Sequence, residues 1–113
     1  MAERDAALLL DMLLAAREAV SFIAAMDEVA FRGSRLHQHA VIRLIVIIGE
    51  AARHVSRETQ EENPHIDWRD MIAMRHRLIH GYGAVRVERV WTVASIHVPA
   101  LIMALVPLIR EES

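Results

Sequence analysis

One short segment concentrates the side chains that could transfer protons beside a bound phosphate. Arg75, His76 and His80 stand close together, and Tyr82, the only tyrosine of the chain, follows them. An imidazole titrates near neutral pH, so a histidine can both accept and donate a proton. A guanidinium stays charged and binds phosphate oxygens with two parallel hydrogen bonds. These residue types therefore suit acid–base chemistry at a phosphodiester.

A metal site is the first alternative for the two histidines. His76 and His80 are four residues apart, a spacing that puts two imidazoles on one face of a helix. No Glu follows His76, as a zinc-protease pattern would require, and the nearest acidic residues are Asp70 and Glu88. We therefore expect neither a metal nor another cofactor here.

Two plainer interpretations of the segment stay open. Arg75 could form an ordinary ion pair on the helix surface, and His80 could simply cap a helix C-terminus, where the helix dipole favours a cation. Residues five apart on a regular helix point about 140° away from each other. If Arg75 and His80 act together, His80 must turn back at the helix end or meet Arg75 of another chain.

Composition excludes several other chemistries. The chain has 113 residues, no cysteine and no lysine, so a thiolate metal site, a catalytic Cys and a Schiff-base Lys are ruled out. Charge is unevenly distributed: residues 32–57 carry five Arg against the single acidic Glu50, whereas residues 1–31 carry six acidic residues against two Arg. An Arg-rich middle segment could present a basic face to an anionic partner.

The hydrophobic pattern predicts an all-α fold of four to five helices in a single domain over residues 1–113. Gly33 should end one helix and Ser34 should cap the next, and Asp67 should cap the helix that carries the Arg and His residues. Thr59 to Asp67 is expected to be a loop. The predicted helices span 2–26, 35–57, 68–78 and 87–109, the last one kinked or broken near Pro99.

Three further residues have predicted structural roles. Glu50 lies in an apolar stretch and is expected to form a salt bridge with a nearby arginine (Arg43, Arg53 or Arg75), a solvated position being the alternative. Trp68 and Trp91 are expected in the core or in a dimer interface.

The segment Val90 to Ile109 contains no charged residue and is long enough to span a bilayer. Thr92, Ser95 and Pro99 lie within it, so a helix buried in a bundle or dimer core is the better interpretation. The N-terminus is acidic and Asp11 interrupts the apolar stretch that an export signal needs. A cytoplasmic protein without a membrane partner is expected.

The string Met74-Arg75-His76-Arg77-Leu78-Ile79-His80-Gly81-Tyr82, preceded by Trp68-Arg69-Asp70 and followed by Val90-Trp91, resembles the signature of the HepT-like toxins of the HEPN ribonuclease superfamily. Similarity extends to Ile47-Ile48-Gly49-Glu50-Ala51-Ala52 and to Val98-Pro99-Ala100-Leu101, so it covers nearly the whole chain. Three positions depart from the family pattern: His76, where Asn is common, Gly83, where an aromatic residue is common, and Arg86, where Asp is common.

The resemblance implies a dimeric, HEPN-like helical bundle with a metal-independent ribonuclease site at the subunit interface. Arg75, His80 and His76 would be its catalytic residues and RNA its substrate. Tyr82 would be the position that accepts AMP from a partner nucleotidyltransferase antitoxin of the MNT type. The chief alternative is a noncatalytic helical scaffold of the same fold that binds RNA or the partner protein.

Overall fold

The computed structural model describes residues 1–81 and 85–112, and within these residues all regular structure is helical. The all-α prediction is confirmed. The predicted long helices correspond to α1, α3, α5 and a composite last helix, while α2 and α4 are short additions. The elements are α1 (Glu3–Ile23), α2 (Glu28–Arg32), α3 (Arg35–His54), α4 (Arg57–Glu62), α5 (Trp68–His80), α6 (Val87–Thr92), a π-helical segment (Val93–His97) and α7 (Val98–Glu112).

Helix α3 lies at the centre and packs against both α1 and α5, while α7 covers the other side of α1. Two buried clusters hold this arrangement together. The first joins α1, α3 and α7 through residues such as Leu9, Ile48 and Leu105. The second joins α3 to α5 and α6 through residues such as Ile45, Leu78 and Val90. Burial of these apolar side chains is what fixes α5 against α3.

The predicted break before α3 is confirmed. Gly33 is the C-cap of α2, and the Ser34 hydroxyl accepts a hydrogen bond from the backbone N–H of His37 at 3.3 Å. Asp27 caps α2 by accepting from the backbone N–H of Ala30 at 2.8 Å. Each cap satisfies a backbone donor that the first helical turn leaves unpaired.

The loop predicted over Thr59 to Asp67 is wrong in its first half, because α4 occupies Arg57–Glu62. Helix α3 ends earlier than predicted, and Ser56 caps α4 by accepting from the backbone N–H of Thr59. Asp5, distant in sequence, also fixes the turn. Its buried carboxylate accepts hydrogen bonds from the Ser56 hydroxyl and the Thr59 hydroxyl, each at 2.6 Å.

The last helix is continuous through Pro99, so the predicted kink or break takes a different form. The backbone becomes π-helical over Val93–His97, directly before Pro99. Pro99 has no N–H to donate to the carbonyl four residues earlier. In addition, the Ser95 hydroxyl donates a hydrogen bond to the Trp91 carbonyl at 2.7 Å and so competes with the backbone hydrogen bonds of the helix. A wider turn accommodates both.

By length and composition alone, residues 87–110 form one helix that could cross a membrane. The core helix of a soluble bundle passes the same test. Val90, Ala94, Val98 and Leu105 are buried against the bundle, whereas Met103 is 77% exposed on the opposite side. The inner face of the helix therefore belongs to the core, while only 17% of its most apolar 18-residue window is buried within this chain.

The sequence predicts each tryptophan either in the core or in a dimer interface. Trp68 lies in the core, and Trp91 packs against the edge of the second cluster. Trp68 is buried, and its indole N–H donates to the carbonyl of Asn63 at 3.0 Å. Trp91 is half-buried and its ring centroid lies 5.3 Å from that of Phe31.

Candidate active site on helix α5

All three predicted catalytic residues lie on α5, near its C-terminus. The helix runs two residues further than the sequence predicts, to His80, and ends where the Gly81 N–H bonds to the Arg77 carbonyl at 2.8 Å. Asp67 occupies the predicted N-cap position, although its side chain makes no capping hydrogen bond. Tyr82, the predicted modification site, lies outside the described residues.

The site depends on a close approach between α3 and α5 at Gly49. A Cβ atom added to Gly49 would lie 2.5 Å from the Cβ of Arg75 and 2.7 Å from the carbonyl oxygen of Met71. No other residue fits there without movement of one helix. Gly49 is thus the position that lets the backbone of α3 reach the root of Arg75.

Arg75 is held by an ion pair with Glu50 across this crossing. Its Nε atom lies 2.5 Å from Oε2 of Glu50, and the Arg75 side chain is 19% exposed. The two atoms are buried and their geometry is not that of a hydrogen bond, so the contact is one of charge. The Arg75 atom that makes this contact is Nε. The predicted salt bridge of Glu50 is confirmed.

Glu50 also faces two basic residues of its own helix, α3. Its Oε1 lies 3.1 Å from Nε2 of His54, and its Oε2 lies 3.8 Å from Nε of Arg53. Partial desolvation of the carboxyl raises its pKa, but the hydrogen bond with His54 and the positive charges of Arg75 and Arg53 outweigh it, so the pKa of Glu50 lies below its ordinary value. Glu50 is therefore the anionic centre of the site.

His76 and His80 form an exposed pair on another side of α5. Their ring centroids are 4.6 Å apart, with ring planes tilted by 49°. Among the residues that the structure describes, no cluster of three His, Asp or Glu side chains could hold a metal ion. The i and i+4 spacing thus brings two imidazoles together as the sequence predicts, without a third ligand in the described ranges.

Within one chain, Arg75 and His80 do not converge. Because α5 stays helical through His80, their side chains leave the helix about 140° apart. The alternative in which His80 turns back at a frayed helix end is excluded. The other arrangement that the sequence allowed for joint action is a contact between Arg75 of one chain and His80 of another.

Beside Arg75, a groove of about 550 Å³ runs along the outer face of α3. Its floor is α3 and its walls are α1 and α5. The sequence analysis did not predict this groove. Its signal is apolar side chains that stay exposed: Leu14 on α1 is 55% exposed and Ile79 on α5 is 43% exposed. The acidic and basic residues that line the groove are Asp11, Glu18, Arg43, Glu50, His54 and Arg75.

Comparison with known proteins agrees with this architecture. Residues 12–107 match the family model described as ribonuclease HepT-like. A Methanocaldococcus jannaschii protein named as a candidate RNase is 32% identical over 89% of this chain and 94% of its own length. A second protein of that organism with the same kind of name is 33% identical over 89% of this chain and 88% of its own length.

A third relative, from Thermococcus cleftensis, is named as a probable ribonuclease HepT. It is 41% identical over 57% of this chain and 58% of its own length. No solved structure matches the chain significantly. The family model covers most of the chain, including α3, α5 and the crossing between them. This chain therefore belongs to the HepT-like ribonuclease family.

Proposed function

We propose that this chain, as one helical domain over residues 1–113, is the toxin of a toxin–antitoxin system. In this proposal it is a metal-independent endoribonuclease whose catalytic residues are Arg75, His80 and His76. The observation that carries the proposal is the pairing of Arg75 with Glu50 through Nε, on the same helix as two exposed imidazoles. An arginine oriented in this way can present its Nη groups to a phosphate.

The reaction needs no group that the chain lacks. The ribose 2′-oxygen of RNA attacks the adjacent phosphorus while a histidine accepts its proton. The bond from phosphorus to the 5′-oxygen breaks, and that oxygen takes a proton from an imidazole. The products are a 2′,3′-cyclic phosphate and a free 5′-hydroxyl, and Arg75 stabilises the extra negative charge on the phosphorane.

His80 is the proposed general acid and base, and His76 orients or assists it. Each imidazole lies on an exposed face of α5, where a substrate can reach it. Proton transfer by a positioned side chain contributes about 10²–10⁴ in rate. The short distance between the two rings suits a pair in which one imidazole sets the orientation of the other.

The active unit in this proposal is a homodimer. Arg75 and His80 point in different directions from α5, so a complete site combines Arg75 of one chain with the partner subunit's His80. The groove along α3, with exposed Leu14 and Ile79 on its walls, is a surface on which a second chain could bury apolar area. Arg75 lines the same groove, which brings the catalytic arginine to the interface.

Tyr82 is proposed as the acceptor of AMP from a nucleotidyltransferase antitoxin of the MNT type in the cytoplasm. The support is the sequence motif, in which Tyr82 follows His80 by two residues. An adenylate at that position would add a phosphodiester and a base beside the catalytic histidines. It would thereby block the approach of RNA.

Cleavage of total RNA in EDTA tests the proposal. Wild type should cut, His80→Ala should not, and the control Arg57→Ala should cut like wild type, because the Arg57 side chain is 92% exposed on α4, away from α5 and the groove. A wild-type protein that leaves RNA intact and carries no AMP on Tyr82 by mass spectrometry would contradict the enzyme and favour the scaffold. Wild type carrying AMP is to be tested again after purification without nucleotidyltransferase.

A further inference from the structure

The outer face of α3 carries one arginine and one glutamate at equal distances on either side of an apolar centre. Arg43 and Glu50 are seven residues apart, close to two helical turns, so both lie on the groove face about 10 Å apart. Val46 and Ile47 lie midway between them and line the same groove. A second α3 laid antiparallel on this face would set each arginine opposite a glutamate.

Arg43 is a cation of the groove with no acidic partner among the residues that the structure describes. It is exposed on the groove, and no ion pair of the described residues includes it. Glu50 is 44% exposed in spite of its contact with Arg75, so its carboxylate can accept a further cation from outside. The face therefore offers an unpaired positive group and a partly open negative group, each complementary to the other.

We infer that a second copy of this chain docks antiparallel along α3, with the two-fold axis at Val46 and Ile47, so that Arg43 of each subunit pairs with Glu50 of the other. This inference rests on the homodimer of the proposed function and specifies its register. A two-fold contact uses every pair twice, so two Arg43–Glu50 pairs flank one apolar centre.

The same axis sets the levels of the catalytic groups along the paired helices. Helix α5 runs antiparallel to α3, because Gly49 lies against Met71 and Arg75 while Val41 and Ile45 share a core cluster with Met74 and Leu78. An axis through the middle of α3 thus crosses α5 near His76. Arg75 and the partner's His80 then fall on the same side of the axis.

Glu50 links docking to the site. In the dimer its carboxylate contacts Arg75 of its own chain and Arg43 of the partner, so the residue that positions Arg75 is also an interface residue. Asp11 and Glu18 are acidic side chains on the α1 wall of the groove. They would repel the same side chains of the second subunit, so the contact would be made mainly by α3 and α5.

Disulfide trapping tests the register directly, since the chain has no cysteine of its own. Val46→Cys and Ile47→Cys should each yield a covalent dimer on mild oxidation, because residues beside the axis come within the roughly 4.4–6.8 Å between Cα atoms that a disulfide allows. Leu36→Cys is the matched control on the same helix. It is exposed, but its two copies would lie about 30 Å apart along the paired helices.

Charge reversal tests the ion pairs by sedimentation. Arg43→Glu and Glu50→Arg should each weaken dimerisation by about tenfold or more. The double variant should recover part of that loss, since the new guanidinium at position 50 still faces Arg75 of its own chain. Arg35→Glu, an exposed reversal on the same helix outside the groove, should leave the dimer unchanged. Glu50→Arg also removes the partner of Arg75, so helical content is measured alongside, and the Cys variants decide the register if it unfolds.

The outcomes separate this inference from the proposed function. The register is overturned if Leu36→Cys forms a covalent dimer and neither Val46→Cys nor Ile47→Cys does. It is also overturned if the effects of Arg43→Glu and Glu50→Arg on dimerisation are additive, even if the dimer cuts RNA. Trapping at residues 46 and 47 in a protein that cuts no RNA supports the register and contradicts the enzyme. A wild type that stays monomeric at all concentrations overturns both the inferred interface and the composite site.

Discussion

The guanidinium of Arg75 on α5 contacts the carboxylate of Glu50 on α3, with Nε and Oε2 2.5 Å apart. This pair spans the crossing at which Gly49 brings the two helices together. A residue proposed to bind the scissile phosphate is thus oriented by a charged group on another helix. Its position depends on the tertiary fold more than on the rotamer that α5 alone would favour.

Replacement of Glu50 by Gln should impair the action of Arg75 while leaving the fold intact. The amide keeps the size of the side chain but removes the charge that holds Arg75, so we expect kcat to fall by about tenfold, the scale of a lost charge-assisted contact. The measurement is kcat and KM for a short RNA at protein concentrations far above the dimer dissociation constant. A change in KM alone, with kcat at the wild-type value, would contradict a positioning role.

Gly49→Ala should destabilise the protein and displace α5. The new Cβ would lie at 2.5 Å from the Cβ of Arg75 and 2.7 Å from a backbone oxygen, and overpacking of this kind costs about 1–3 kcal/mol. Thermal or urea unfolding measures the free energy of unfolding. RNA cleavage should also fall, because α5 carries the proposed catalytic residues.

Gly33→Ala is the matched control for Gly49. A Cβ at Gly33 meets only backbone oxygens at 3.6 and 3.7 Å, and its φ of −85° suits any residue. We expect a change within about 0.5 kcal/mol, as for ordinary surface substitutions. Equal loss of stability in both variants would show that the close approach of α3 and α5 is not the cause.

Asp5 should make the stability of the fold sensitive to acid. Burial raises the pKa of its carboxyl, but hydrogen bonds from Ser56 and Thr59 and the charge of Arg4 outweigh burial, so its folded pKa lies below the ordinary value. Stabilisation by Asp5 is therefore full above its unfolded pKa of about 3.9 and is lost as pH falls through the lower folded pKa. Glu50 contributes in the same direction.

Asp5→Asn should lower the free energy of unfolding at neutral pH by about 1–3 kcal/mol and flatten its decline in acid. Urea unfolding at several pH values between neutrality and strong acid measures both effects. Glu3→Gln, an exposed substitution on the same helix outside the groove, is the control and should retain the wild-type acid profile. An Asp5→Asn profile parallel to wild type would contradict the role of the carboxylate.

Hydrophobic spacing and capping residues were enough to predict the helices that carry the site. Ser34 caps α3 as expected, and α5 begins after Asp67. Helix α4 was missed because its start is fixed by hydrogen bonds from Ser56 and Thr59 to Asp5, which is 51 residues before Ser56 in the chain. A single sequence without its tertiary contacts does not reveal such an anchor.

The candidate site was predicted in part. Its residue types and the pairing of His76 with His80 follow from helical spacing, and a salt bridge of Glu50 was expected with one of three arginines. Arg53, on the same helix, pairs with Glu50 at 3.8 Å, whereas the shorter contact with Arg75 depends on the close approach of α3 and α5 at Gly49, which only packing determines. The groove, with Arg43 on its face, is formed by α1, α3 and α5 together, so no single segment of the sequence reveals it.

The central claim is that each site combines Arg75 of one subunit with His80 of the other, and subunit mixing tests it most directly. Arg75→Ala and His80→Ala should each be inactive alone. When they are mixed and allowed to exchange, half of the dimers are heterodimers with one intact site out of two, so activity should return to about one quarter of wild type. A mixture that stays inactive although heterodimers have formed would contradict the claim, because sites built within single chains cannot be restored by exchange.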